Sequence, residues 1–202
     1  MQLLDRIKER KATVGVLGLG YVGLPLAALF SGKGFKVIGL DTDPDKVASL
    51  AQGRTYIRHI PDEVIAKAVS GGFEPTTDFS RSAECDAILI CVPTPLTAHR
   101  EPDMSYVVGS CRELLPHLRR DQMIILESTT YPGTTDEVMR PILEEGGLTA
   151  NRDFWLAYSP EREDPNNADF DTGTIPKVVG ADDPKALELA KTLYEQVIVG
   201  VI

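Results

Sequence analysis

Cysteine is scarce in this sequence. Among its 202 residues there are three cysteines, Cys85, Cys91 and Cys111, and none of them belongs to a CxxC pair, the spacing of redox motifs and zinc sites. An odd and small number of cysteines gives no disulfide framework. The three histidines are scattered and form no pair with ligand spacing. The sequence therefore predicts a protein without bound metal, long enough to be stabilised by its apolar core.

Positive charge and long apolar runs are also lacking. Lys and Arg number 21 against 30 Asp and Glu, the net charge is −9 and no long basic run occurs, so a nucleic-acid partner is not expected. No apolar stretch approaches the roughly 18 residues that cross a membrane. The first residues, MQLLDRIKERK, are charged and amphipathic, unlike a secretory signal. These observations favour a reduced, cytoplasmic, soluble protein with no membrane partner.

Short apolar segments alternate with amphipathic segments along the chain. Several apolar segments are continuous in Val, Ile and Leu, which is typical of parallel strands covered on both faces. Predicted strands cover residues 12–17, 36–40, 73–76, 86–92, 122–126, 154–158 and 177–180, with another in the final VIVGVI. Predicted helices cover residues 1–11, 21–32, 44–52, 61–70, 104–119, 134–145 and 183–195. This alternation predicts an α/β fold over residues 1–202, a doubly wound and mostly parallel sheet with helices on both faces, as in Rossmann-like NAD-binding domains.

Residues 15–23, GVLGLGYVG, form a glycine-rich connection between the first strand and the helix that follows it. Gly18 allows a tight turn, Gly20 lets a pyrophosphate approach the backbone, and Gly23 lets the helix pack close to the strand. The amino end of the helix then presents free N–H groups to the phosphates. For the motif by itself, the alternative is a tight turn without a ligand.

An acidic residue at the end of the second strand favours the nucleotide interpretation. Asp41 lies about 20 positions after the glycines, where a carboxylate binds the hydroxyls of a ribose. Its charge disfavours a 2′-phosphate and no arginine adjoins it, so NAD is the expected cofactor rather than NADP. Lys46 is a candidate contact for the adenosine ribose, or else a solvated helix residue. Asp41 alternatively caps the helix that starts at Pro44.

Three further polar segments follow predicted strands and are expected at the carboxyl edge of the sheet, where doubly wound folds bind ligands. Residues 91–95 offer the hydroxyl of Thr94 in a turn stiffened by prolines, or are only a rigid loop. Residues 127–135 place Thr129 near a nicotinamide or a substrate, or else cap the next helix. Residues 159–164 contain Glu161, a candidate for acid–base chemistry, and Arg162, a candidate anion ligand. These two charges alternatively form a surface ion pair.

Taken in order, five segments resemble the nucleotide-sugar 6-dehydrogenases, the UDP-glucose/GDP-mannose dehydrogenase family: GVLGLGYVGLPLA, GLDTDPDKV, CVPTPL, ESTTYPGTT and SPERED. The resemblance spans essentially the whole chain. CVPTPLTAHREPD, YIRHIPDE and SPER are similar to the branch that acts on UDP-N-acetylhexosamines, UDP-N-acetylglucosamine among them. The resemblance implies two successive NAD-dependent oxidations of the sugar C6, from alcohol through aldehyde to acid, with a cysteine thiol that captures the aldehyde.

The resemblance also implies roles for individual residues. Glu161 and Thr129 correspond to catalytic positions, and Arg162 and Glu163 to the sugar-nucleotide side of the site. Relatives that oxidise UDP-glucose have a second glutamate where this chain has Pro165, which favours N-acetylated substrates. The implied cofactor contacts are Gly18, Gly20, Tyr21, Val22, Gly23, Asp41, Lys46, Pro93, Thr94 and Thr129.

Part of the family pattern has no counterpart in this sequence. The family continues into a central helix with a lysine and an asparagine, and then into a second α/β domain with the cysteine nucleophile. None of the three cysteines here has that context, so we expect the N-terminal NAD-binding domain of a longer enzyme, inactive alone. The complete enzyme is expected to bind a UDP-sugar and to be a homo-oligomer. The alternatives are a UDP-glucose or GDP-mannose 6-dehydrogenase domain, a non-catalytic dinucleotide-binding module and a 3-hydroxyacid-type dehydrogenase.

Overall fold

The computed structural model describes residues 2–98, 100–160 and 175–202 and contains a six-stranded sheet. The strands are β1 (Thr13–Leu17), β2 (Lys36–Leu40), β3 (Phe73–Thr76), β4 (Ala87–Ile90), β5 (Met123–Leu126) and β6 (Trp155–Tyr158). Their order across the sheet is β3-β2-β1-β4-β5-β6, and every neighbouring pair is parallel. The predicted doubly wound parallel fold is confirmed. The strand order changes direction between β1 and β4, and ligands bind at this point in such sheets.

Helices cover both faces of the sheet. They are α1 (Leu3–Lys8), α2 (Gly23–Gly32), α3 (Pro44–Ala51), α4 (Asp62–Ser70), α5 (Ser105–Leu114), α6 (Arg140–Glu144) and α7 (Pro184–Glu195). Successive strand residues point to opposite faces, so Val14 and Val16 of β1 join one buried cluster with residues of α1, α2, α4 and α7. Leu17 joins the other cluster, with residues of α5 and α6. Within the described parts of the chain, no helix has the length and apolar character to span a bilayer.

The predicted strands at 177–180 and at the end of the chain do not extend the sheet. Residues there make isolated bridges only, between Lys177 and Val201 and between Gly180 and Tyr158. The bridge to Tyr158 is antiparallel, and α7 begins a few residues later at Pro184. The segment therefore turns into a helix before a regular ladder forms beside β6.

Two predicted helices differ from those in the structure, in each case near a proline. The helix expected over residues 104–119 ends at Leu114, and a 3-10 turn (Leu115–His117) follows because Pro116 has no N–H to continue the α-helical ladder. The helix expected over 134–145 begins as a π-helix (Thr134–Met139) and becomes α-helical only at Arg140. Pro141 cannot donate to the carbonyl one turn earlier, and the wider turn before it accommodates its ring. A 3-10 helix at Phe79–Glu84 was not predicted.

Candidate functional site

Two glycines of the turn between β1 and α2 are required by the packing of the protein itself. Gly18 has φ +90°, and a Cβ on it would lie 2.7 Å from the carbonyl oxygen of Cys91. A Cβ on Gly23 would lie 1.9 Å from the carbonyl oxygen of Gly18. No side chain fits at either position, so the close approach of α2 and the end of β4 to the turn explains both glycines.

Gly20 is not required in this way. Apart from its chain neighbours, no atom of the described residues would lie within 4 Å of a Cβ on Gly20. The N–H groups of Gly20, Tyr21 and Val22 lie at the amino end of α2, and no described residue accepts a hydrogen bond from them. Unpaired N–H groups at this end of a helix bind anions, and a glycine lets a phosphate reach them. Gly20 therefore distinguishes a phosphate-binding turn from a turn that serves packing alone.

Asp41 holds the glycine turn in place from the end of β2. It is 8% exposed, its Oδ2 accepts the N–H of Leu19 at 2.8 Å, and its Oδ1 accepts the N–H of Asp43 at 3.0 Å. The alternative in which Asp41 caps α3 is wrong, because the cap is Asp43, which accepts the N–H groups of Asp45 and Lys46. The Nζ of Lys46 lies 3.9 Å from Asp41 Oδ2. A carboxylate oxygen accepts more than one hydrogen bond, so Asp41 retains capacity for a ligand hydroxyl.

Tyr56 supports the same turn from the opposite side, a role that the sequence did not predict. Its hydroxyl donates to the carbonyl oxygen of Leu19, whose N–H is held by Asp41. Burial, together with the carboxylates of Asp41 and Asp43, raises the pKa of Tyr56 well above its usual value, so the hydroxyl remains a donor. Tyr56 is the first residue of the segment YIRHIPDE, but no local pattern in the sequence indicates that it contacts the glycine turn.

A cleft of about 440 Å³ lies at the point where the strand order changes. Of the predicted cofactor residues, those that line it are Gly18, Gly20, Asp41, Lys46 and Pro93. The sequence did not predict its wall on α5, which contains Ser105, Tyr106, Ser110 and Glu113. Their helical pattern indicates only a polar helix face. That this face borders the cleft is a matter of tertiary packing, which the helical pattern does not show.

The remaining predicted cofactor residues surround the cleft. Tyr21 and Val22 lie at the amino end of α2, and Tyr21 is 64% exposed, with its ring stacked on that of His59 at 5.9 Å between centroids. Gly23 packs behind the turn. The hydroxyl of Thr94 donates to the carbonyl oxygen of Thr129 at 2.6 Å, which joins the loops that follow β4 and β5.

The loop after β5 is joined to the loop after β4 by a second hydrogen bond. The hydroxyl of Ser128 donates to the carbonyl oxygen of Val92 at 2.6 Å. Thr134 does not cap the helix that follows, because its hydroxyl donates to the carbonyl oxygen of Tyr131, and the residue before the π-helix is Gly133. Capping therefore does not explain the hydroxyl-rich segment, and Thr129 is exposed at the carboxyl edge of the sheet.

The predicted acid–base and sugar-binding residues, Glu161, Arg162 and Glu163, lie outside the described residues, as does Pro165. The described cysteines do not have the properties of a nucleophile. All three are buried, and burial raises the pKa of Cys85 and of Cys111 to about 12. A buried thiol with a raised pKa forms little of the reactive thiolate.

The fold and the site together define a dinucleotide-binding domain of the doubly wound class. Residues 12–198 match the model of the UDP-glucose/GDP-mannose dehydrogenase family, NAD binding domain. The chain belongs to this family, as its NAD-binding domain, and its cofactor is NAD.

Named relatives agree with this assignment. The UDP-N-acetyl-D-glucosamine 6-dehydrogenase of Pseudomonas aeruginosa is 36% identical over 186 residues, which are 92% of this chain and 43% of the relative. The UDP-N-acetyl-D-mannosamine dehydrogenase of Escherichia coli K12 is 37% identical over 195 residues, 91% of this chain and 45% of the relative. The crystal structure of an NDP-N-acetyl-D-galactosaminuronic acid dehydrogenase from Methanosarcina mazei is similar with a TM-score of 0.86 at 32% identity, covering 100% of this chain and 46% of that one. The chain thus spans less than half the length of these relatives.

Proposed function

We propose that this chain is the cofactor-binding part of an enzyme that oxidises C6 of a UDP-N-acetylhexosamine, UDP-N-acetylglucosamine or UDP-N-acetylmannosamine, to the uronic acid. The observation that carries the proposal is the turn at Gly20, whose N–H groups, beside the carboxylate of Asp41, have no acceptor among the described residues. The names of the N-acetylglucosamine and N-acetylmannosamine dehydrogenases support the substrate class. NAD supplies a hydride acceptor when bound, and the residues of this chain bind and orient it.

The cofactor contacts follow from the chemistry of each group. The N–H groups of Gly20, Tyr21 and Val22 are suited to the pyrophosphate, because the positive end of the α2 dipole adds to their attraction. Asp41 is suited to the ribose hydroxyls, with Lys46 beside it. The close passage of α2 at Gly23 and the turn at Gly18 give these groups their positions.

The other proposed contacts lie towards the reacting end of the cofactor. Pro93, which lines the cleft, and Thr94 follow β4, and Thr129 follows β5, so these residues are on the side of the site towards β6. We assign Thr129 to the catalytic side of the site. Glu161, Arg162 and Glu163 follow β6 in the sequence, and we assign Glu161 to acid–base steps and the other two to the sugar nucleotide.

The proposal extends to the whole enzyme. It comprises residues 1–202 as one NAD-binding domain, a catalytic domain that supplies the thiol, a homo-oligomeric assembly and a cytoplasmic location. The family membership and the share of each relative that the chain covers support the first two points.

Steady-state kinetics of a complete enzyme carrying this domain test the substrate assignment. UDP-N-acetylglucosamine or UDP-N-acetylmannosamine should give a higher kcat/KM than UDP-glucose or GDP-mannose at saturating NAD. A preference for UDP-glucose in the same assay would refute the assignment to N-acetylated sugars. UDP-glucose isolates the effect of the sugar because it shares the UDP group with the proposed substrates, whereas GDP-mannose differs from them in both base and sugar.

A further inference from the structure

A buried charge pair joins the carboxyl end of β5 to a residue far along the sequence. Glu127 follows β5 directly and is fully buried, and Lys177 is 5% exposed. The Nζ of Lys177 lies 2.6 Å from Oε2 of Glu127. The hydroxyl of Tyr194, on α7, donates to Oε1 of the same carboxylate, and Lys177 Nζ lies 5.4 Å from the centre of its ring. Three separate parts of the chain therefore meet at one carboxylate.

One side of this contact is fixed by the sheet. The N–H of Glu127 donates to the carbonyl oxygen of Ile90 at 2.9 Å, and the hydroxyl of the next residue, Ser128, binds the loop after β4. Among the described residues, the backbone of Lys177 pairs with the end of the chain, at Gly200 and Ile202, and not with a strand of the sheet. The pair with Glu127 therefore links Lys177 to the end of β5.

The chain around Lys177 borders the stretch that carries the proposed sugar-binding residues. Ser159, just before that stretch, is fully buried, and its hydroxyl donates to the carbonyl oxygen of Val178 at 2.9 Å. Tyr158 and Gly180 exchange two hydrogen bonds of 2.8 Å each. Residues 158–159, at the end of β6, and residues 177–180 are thus held together, and Lys177 also reaches Glu127 at the end of β5.

We propose that Glu127, Lys177 and Tyr194 are positioning residues, which fix residues 177–180 relative to the ends of β5 and β6. A buried ion pair adds little to stability by itself, because a protein with an apolar pair of similar volume in its place is often as stable or more stable. The pair instead favours a single arrangement of the three side chains, since the ammonium and the hydroxyl must both reach the same carboxylate. The catalytic consequence of this placement rests on the proposed function.

The test separates position from stability with a neutral double variant. Lys177→Met alone leaves a buried carboxylate without its ammonium and should lower the urea midpoint strongly. Glu127→Gln combined with Lys177→Met removes both charges while Tyr194 still has an acceptor, and its midpoint should return to near the wild-type value. Lys191→Met is the matched control, because Lys191 forms an exposed pair with Glu195 on α7 at 3.8 Å. It should change neither stability nor local structure.

Hydrogen exchange of the 202-residue chain gives the positional readout. In the double variant, the amides of Lys177, Val179 and Gly180, which donate within this region, should exchange about tenfold faster or more while those of β1 and β4 keep their wild-type rates. Wild-type protection at 177–180 would overturn the proposal. An increase shared by all strands would also overturn it, since it reports only lower overall stability. If the double variant does not fold, Tyr194→Phe provides the same test with one hydroxyl removed and a smaller increase confined to the same amides.

A kinetic measurement extends the test to the reaction. In a complete enzyme with this domain, the double variant should lower kcat/KM for the nucleotide sugar about tenfold or more, because small displacements of positioning groups are costly to the rate. The Kd for NAD should stay within about twofold, since neither Glu127 nor Lys177 lines the cofactor cleft. Equal losses in both would contradict the positioning role. The exchange measurement uses neither sugar nor turnover, so its outcome does not depend on whether the proposed substrate is correct.

Discussion

Replacing Gly20 by alanine separates the two reasons for which a chain keeps a glycine in this turn. The φ of Gly20 is not in the left-handed region, and a Cβ on it would meet none of the described residues beyond its chain neighbours within 4 Å. The apo protein should therefore accept Gly20→Ala. Such a substitution in a compatible backbone typically stabilises by about 0.4–1 kcal/mol, through the lower entropy of the unfolded chain.

The matched variant Gly23→Ala should act in the opposite direction on stability. Its methyl group would lie 1.9 Å from the carbonyl oxygen of Gly18, and relief requires a shift of the backbone. Overpacking of this kind costs about 1–3 kcal/mol, and more where no flexible side chain can move. The two alanines, three positions apart, are thus expected to differ in the sign of their effect on the free energy of unfolding.

Cofactor affinity is the second measurement on the same pair. The methyl group of Gly20→Ala occupies the space through which a pyrophosphate reaches the N–H groups of α2, so NAD affinity should fall at least about tenfold, or about 1.4 kcal/mol. Urea unfolding without NAD and calorimetric titration with NAD measure the two quantities separately. A Gly20→Ala protein that binds NAD as tightly as the wild type would refute the assignment of this turn to the pyrophosphate. A Gly20→Ala protein that is strongly destabilised would refute the description of the turn.

Three further outcomes are expected. Wild-type protein should bind NAD more tightly than NADP, and Asp41→Asn should weaken NAD binding by about 1–2 kcal/mol; equal or tighter binding of NADP in a parallel titration contradicts the role of Asp41. Hydrogen bonding to Arg152 lowers the pKa of Asp153 from 3.8 to about 2, so its stabilising contribution is present above pH 3.8 and is lost as the pH falls through 2. Asp153→Asn should flatten this acid limb of the stability curve from urea unfolding at each pH, and an unchanged curve argues against the contribution. The 202-residue chain with NAD and UDP-N-acetylglucosamine should form no NADH, because its described thiols are buried and the proposed function assigns the thiol to a separate catalytic domain. Sustained NADH absorbance proportional to the amount of protein would show that the catalytic groups lie within this chain.

The strands and the glycine turn could be predicted because their signals are local. Residues such as Ile88, Leu89 and Ile90 are apolar at consecutive positions, and a strand buried on both faces has this composition. The predicted extents of two α-helices were wrong near Pro116 and Pro141. A proline lacks the N–H of the helical ladder, which changes the type of helix without changing its apolar pattern.

Which of several neighbouring residues has which role could be assigned only from the structure. Asp41 and Asp43 are both acids next to the start of α3, and the sequence pointed to Asp41 as a candidate cap of that helix without singling out Asp43. The structure assigns the cap to Asp43 and gives both oxygens of Asp41 to backbone N–H groups. Likewise, the three glycines match one motif, yet only Gly20 lacks a packing reason.

The sequence alone determined the class of this protein: a parallel α/β sheet, a phosphate-binding turn with an acidic partner, and the order of segments that resembles one dehydrogenase family. These features depend on residues close together in the chain, where hydrophobic period, turn chemistry and spacing act directly. Only the tertiary structure decided that Tyr56 supports the glycine turn, that α5 forms a wall of the cleft, and that Tyr194 and Lys177 meet Glu127. Tyr194 and Glu127 are 67 positions apart, and contacts of this range depend on how the connections cross the sheet, which no local pattern of side chains records.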